Sequence, residues 1–183
     1  MHSFDELAYR CATFTLESLQ DVNGRTVEAL QTSAATSLVK TLQMIQLQKV
    51  ILAVGMFSIF EARLQDRLSC SDGFREAGEF LDQQSATELK ETFFDLTAAI
   101  NVLKHGRGRS YDALVAKAQT LPFRVKLPDE AFFFEGDVSE VSTLVEVDDE
   151  FVQRCGNVID QVSQVLRRAR RDFFWQLVAH LCS

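Results

Sequence analysis

The sequence predicts a mainly α-helical, up-and-down bundle of long helices, with an extended or small β-hairpin excursion around residues 121–147. Three observations lead there. The chain of 183 residues holds only two prolines, Pro122 and Pro128, so its first 121 positions lack the residue that forbids a helix interior. Apolar side chains recur through most of the chain at spacings of three and four. The hydrophobic content of 46% suffices for one substantial core, so a single domain over 1–183 is expected, with 121–147 as an irregular insertion.

The first helix is predicted from Phe4, Leu7, Ala8, Cys11, Phe14 and Leu19, with Ser3 as N-cap ahead of Glu6 and a break at Asn23-Gly24. From Thr26 to about Leu68 the pattern reads as one long helix or two nearly collinear ones. Its apolar positions are Leu38, Leu42, Ile45, Val50, Phe57, Phe60, Leu64 and Leu68, and so long a span calls for a kink near Gly55 or an earlier break. Ser69 to Gly73 forms a loop, and a shorter helix follows through Phe74, Ala77, Phe80 and Leu81. Ser85 with Glu88 three residues on predicts the start of a helix that runs through Leu89, Phe93, Leu96, Ile100 and Leu103 to His105.

A short helical piece is predicted over Tyr111–Ala118. Beyond it, Leu121 to Pro128 alternates apolar and basic residues, and Val141 to Val147 is rich in β-branched ones, which suits strands or extended segments. Between them lie three adjacent phenylalanines, Phe132, Phe133 and Phe134, which cannot all face one way. The chain closes with a long helix announced by Asp148-Asp149-Glu150 and striped by Phe151, Cys155, Val158, Ile159, Val162, Leu166, Ala169, Phe173 and Leu177. Its other face carries Arg167, Arg168, Arg170 and Arg171. The following Phe173-Phe174-Trp175 holds more apolar surface than one stripe needs, which points to a partner helix or a second copy of the chain.

A net charge of −7 argues against binding nucleic acid by bulk charge, while leaving room for a local basic patch. Cys11, Cys70, Cys155 and Cys182 are widely spaced and have no histidine cluster nearby, so neither a disulfide framework nor a metal site is indicated, and reduced, buried thiols are expected. The start of the chain lacks the basic and apolar regions of a targeting segment, and the apolar run Val50 to Phe60 is too short to cross a bilayer. A cytoplasmic protein without membrane attachment or cofactor is expected.

The stretch Asn101-Val102-Leu103-Lys104-His105-Gly106-Arg107-Gly108-Arg109-Ser110 concentrates the chemistry. Asn101 and His105 are four residues apart and share a helix face, and Gly106 and Gly108 are residues on which a chain leaves a helix. A histidine in the last turn lies against the negative end of the helix dipole. With Lys104, Arg107 and Arg109 it forms an end that can present a proton donor and several cations to a phosphate. The same residues equally describe an ordinary helix end, in which Gly106 is the cap and the cations complement the dipole.

Two places in the chain resemble the HEPN superfamily, the all-helical domains of bacterial toxins, antiviral defence systems and eukaryotic RNases. Phe57 to Leu64 is similar to the segment in which many members place a glutamate on the long second helix, here Glu61. Asn101 through Gly106 resembles the family signature of an arginine, a polar residue, a few positions, then histidine and glycine. The resemblance implies a homodimer that cleaves RNA without metal, in a toxin–antitoxin or defence setting with a cognate antitoxin-like partner. His105 would then be the acid/base group, Asn101 the residue orienting it or the phosphate, and Glu61 a supporting carboxylate paired with His105 or Arg109.

The chain departs from the pattern at Ile100, where the family has its arginine, and an aliphatic side chain cannot replace a guanidinium. Lys104, Arg107 and Arg109 are the candidate substitutes for phosphate binding. The expectation is therefore a HEPN-like dimer that binds RNA or nucleotide phosphate, with nuclease activity weak or lost. The alternative is a non-catalytic helical protein-interaction module. The two separate on whether the 104–109 and 167–171 cations converge on one groove.

Overall fold

A computed structural model describes the backbone of residues 4–181 and the side chains of residues 4–168. It contains α1 (Phe4–Leu30), α2 (Thr36–Leu68), α3 (Gly73–Gln83), α4 (Thr87–His105), α5 (Arg109–Ala116) and α6 (Asp149–Leu181). The mainly helical bundle is thus as the sequence predicts. Ser3, Cys182, the side chains of Arg170 and Arg171, and the Phe173–Trp175 surface lie outside the described residues.

α1 and α2 form an antiparallel pair: Leu19, late in α1, packs with Leu42 and Ile45, early in α2. The predicted break at Asn23-Gly24 is corrected, because α1 continues through both. The helix instead ends at Leu30, ahead of residues 31–37, all of which are exposed. A glycine inside an exposed helix costs only about 1 kcal/mol relative to alanine, whereas a segment with nothing to bury gives the chain its place to reverse. Residues 26–68 are therefore neither one helix nor two collinear ones: of the two expected interruptions the earlier break is the one found, and α2 runs unbroken through Gly55.

α6 packs on α1, α2, α3 and α4, and its Val152, Cys155, Ile159 and Val162 are fully buried. Asp148 caps it, accepting from the Phe151 amide at 2.7 Å. Asp149 ties three helices together, ion-paired with Lys49 at 2.7 Å and accepting from Gln20 at 2.8 Å. Burial pushes its carboxyl up, but the Lys49 and Gln20 bonds outweigh that and leave its pKa below the ordinary value. Of the cysteines, only Cys155 among the described residues is buried; Cys11 is exposed and Cys70 half-buried, which corrects the expectation of uniformly buried thiols. Burial pushes the Cys155 thiol pKa far up, so it stays protonated.

Aromatic packing joins α2, α3 and α4. The Phe93 ring lies 6.4 Å from Phe57, 6.3 Å from Phe60 and 5.4 Å from Phe74, the last edge-on. α3 approaches α2 so closely that a Cβ on Gly73 would meet Leu64 Cβ at 2.7 Å and the Glu61 carbonyl oxygen at 2.9 Å. α4 begins at Thr87, not at a Ser85 capping box. Ser85 has φ +53°, and the Ser85 and Ala86 amides close the end of α3 on the Asp82 and Leu81 carbonyls, so Ser85 is committed to ending one helix and cannot start the next.

Residues 117–148 form no strand among the described residues; one antiparallel bridge pairs Val125 with Val145. The excursion folds around a nearly dry ion pair, Lys126–Glu140, at 2.8 Å with side chains 8% and 10% exposed. Lys126 Nζ also donates to the Ala131 carbonyl and sits 4.4 Å over the Phe133 ring. Glu140 accepts from the Phe133 amide at 2.8 Å. Burial pushes the Glu140 carboxyl up, yet the Lys126 bond and the Phe134 and Phe133 amides together hold its pKa below the ordinary value.

α2 is, by length and composition alone, apolar enough to cross a membrane, so the apolar stretch extends beyond Val50–Phe60; 28% of its most apolar window is buried.

Two measurements test this architecture. Lys126→Ala leaves Glu140 buried without its cation and lowers unfolding free energy by about 3 kcal/mol in urea melts. Because the folded Glu140 pKa is depressed, its contribution is complete above the ordinary carboxylate range and is lost as pH falls through the folded value, so Glu140→Gln flattens that part of the acid limb. Gly73→Ala, which forces α3 off α2, costs about 2 kcal/mol in the same assay.

Candidate functional site

The α4 helix is aimed by what it buries. Phe93, Leu96, Ala99, Ile100 and Val102 face the core, so the remaining side of the last turns carries Asn101, Lys104 and His105 outward. Ile100 is 2% exposed, which gives the aliphatic residue at that position a physical reason: a guanidinium there would sit unpaired in the core. The helix stops as predicted at Gly106, whose φ of +75° favours glycine and whose amide donates to the Val102 carbonyl at 2.8 Å. Gly108 accepts from the Asp112 amide, and α5 starts at Arg109, two residues earlier than Tyr111.

The turn is anchored from behind. Tyr111 is buried and donates its hydroxyl to the Lys126 carbonyl at 2.7 Å, which ties α5, on the far side of the turn, to the excursion. The Arg107 guanidinium lies 5.4 Å over the Tyr111 ring. Lys117 pairs with Asp95, fixing the far end of α5 to α4.

Beside this helix end lies an open groove of about 580 Å³ lined in part by Glu61, Asp72, Arg75, Asn101, Lys104 and Ser110. Asn101 and Lys104, three residues apart, share it. His105, exposed, is not among its lining residues, and neither are Arg107 and Arg109, which are exposed at the tip of the turn. The groove therefore groups Asn101, Lys104 and Glu61, while the histidine and both arginines stand at the tip. Glu61 is half-buried on α2 and, among the described residues, forms no ion pair with His105 or Arg109.

Charge distribution singles out this end of the molecule. Most of the described cations elsewhere are held by carboxylates, among them Lys49, Lys90, Lys117, Arg124, Lys126, Arg154 and Arg167, and so is Arg75 in the groove itself. Lys104, Arg107 and Arg109 have no carboxylate partner among the described residues. Three exposed cations within six residues, left unneutralised in a chain of net charge −7, attract an anion locally.

Of the second cationic cluster, Arg167 does not join them. Arg167 lines a separate cavity with Phe4, Asp5, Arg63 and Asp66, and it is ion-paired with Asp5 and, at 3.9 Å, with Asp160. Sequence spacing gave no sign that Arg75 and Ser110 would meet Asn101 in one groove; that follows only from how α3 docks. No protein-family model, no curated protein and no solved structure matches the chain.

The Gly106 cap can be tested alone. A Cβ there meets nothing within 4 Å, so Gly106→Ala acts only through its positive φ and lowers stability by about 1 kcal/mol in thermal melts.

Proposed function

We propose that the protein is a HEPN-like, cytoplasmic homodimer that binds RNA or nucleotide phosphate at the α4–α5 turn and turns it over weakly or not at all. The observation that carries this reading is the unneutralised set Lys104, Arg107 and Arg109 around the exposed His105, beside the groove that holds Asn101. Phosphate oxygens suit such a set: guanidinium forks bind them in two-point fashion and the ammonium adds a mobile charge. Weak turnover follows from Ile100, since a buried aliphatic side chain offers nothing to the charge that gathers on a phosphorane, and from His105 standing outside the groove.

A non-catalytic interaction module is the second reading. It is favoured by one observation, that Arg167 is engaged by Asp5 in a cavity of its own, apart from Lys104, Arg107 and Arg109. A toxin-like role with an antitoxin-like partner accompanies the first reading alone.

Titration of fluorescently labelled structured RNA at several salt concentrations decides between them. The wild type binds with a salt slope that falls by about three in the Lys104→Gln, Arg107→Gln, Arg109→Gln triple variant, whose affinity drops at least about tenfold. RNA incubated with the protein in chelator stays intact, and His105→Ala leaves that result unchanged. Equal binding by the triple variant and the wild type overturns phosphate recognition and leaves the interaction module.

A further inference from the structure

The outer face of α2 is built from a register that fits itself. Lys40, Met44, Leu47, Ile51, Gly55, Ser58, Ala62 and Asp66 follow one another at spacings of three and four, so they lie in one stripe along the helix. The stripe faces away from the core: Met44, Leu47 and Ile51 are 58%, 48% and 61% exposed, and Ser58, Ala62, Lys40 and Asp66 are exposed as well. A Cβ on Gly55 would meet nothing within 4 Å. The central helix of a soluble bundle normally spends its apolar surface on the core. Here only 28% of the most apolar window is buried.

The stripe is large at one end and small at the other, and its two charges are opposite and terminal. When two copies meet antiparallel about a two-fold axis near Ala53 and Val54, Met44 of one faces Ala62 of the other, Leu47 faces Ser58, and Ile51 faces Gly55. Each bulky side chain then enters the gap over a small one, and every such contact occurs twice. The same operation sets Lys40 opposite Asp66 at both ends. Neither residue has an ion-pair partner among the described residues. From Lys40 to Asp66 the stripe runs about 39 Å and is about 10 Å wide. Packed antiparallel beside it, α1 presents a second outward stripe, Leu7, Cys11 and Phe14. The α2 stripe by itself offers roughly 400 Å² per copy, the size of a weak, reversible contact.

We infer that this chain self-associates through an isologous, antiparallel α2–α2 contact, with Met44, Leu47 and Ile51 seated over Ala62, Ser58 and Gly55 of the second copy and Lys40 paired with Asp66. A lipid surface fits less well. Membrane-lying helices are flanked by cations, and this stripe has one lysine at one end and an aspartate at the other. The inference specifies the homodimer of the reading above and does not depend on phosphate binding.

Sedimentation equilibrium of the full chain and a set of variants tests it. The wild type gives twice 20.7 kDa. Lys40→Asp or Asp66→Lys alone weakens association by about tenfold or more, and the Lys40→Asp/Asp66→Lys double variant recovers it, which no fold defect would mimic. Gly55→Phe, placed in open space in the monomer, gives a folded monomer by circular dichroism. A monomeric wild type overturns the inference, as does a dimer indifferent to these changes. Flotation of a monomeric wild type with phosphatidylcholine vesicles, abolished by Ile51→Asp, replaces the second copy with a membrane surface. RNA binding that persists in the monomeric variants overturns nothing in the phosphate reading, so failure of one proposal is distinguishable from failure of the other.

Discussion

The placement of the candidate site depends on Phe93. Its ring has no solvent exposure and has Phe57, Phe60 and Phe74 around it, so a single side chain fixes α4 against both α2 and α3. Two to three turns further along the same helix, the direction set by that contact decides which residues emerge. Ile100 and Val102 are drawn inward, and Asn101, Lys104 and His105 are left outside. The site is thus a by-product of core packing, carried on a rigid helix and closed by a glycine.

Much of the fold is legible in the sequence where a residue has only one good use. Gly106 ends α4 because a positive φ suits glycine, and Asp148 opens α6 because a carboxylate at that position satisfies free amides. Residues with two uses mislead. Ser85 looks like a cap for the helix that follows, but its left-handed backbone belongs to the end of α3. Asn23-Gly24 looks like a stop, but both sit in an α1 whose other residues have enough to bury. The true reversal at residues 31–35 has neither glycine nor proline, and only the absence of large apolar side chains marks it.

The candidate site divides the same way. Its cations and histidine are contiguous in sequence and easy to find, whereas the groove beside them is made by α2, α3 and α4 together and has no signature in spacing. Helical geometry alone grouped Asn101 with His105. In three dimensions the groove holds Lys104 with Asn101 and leaves His105 at the tip, because α3 docks on one flank of α4 and the chain turns away at Gly106. Glu61 reaches the groove by being on the half of α2 against which Gly73 packs.

The thiol of Cys155 lies sealed beneath α6, while those of Cys11 and Cys70 are in contact with solvent. Its sulfur can meet an alkylating reagent only when the C-terminal helix lifts from the four helices it packs on, so among the described cysteines it serves as a built-in clock for that opening. The interval between modification of the outer thiols and of this one measures how long the bundle stays shut.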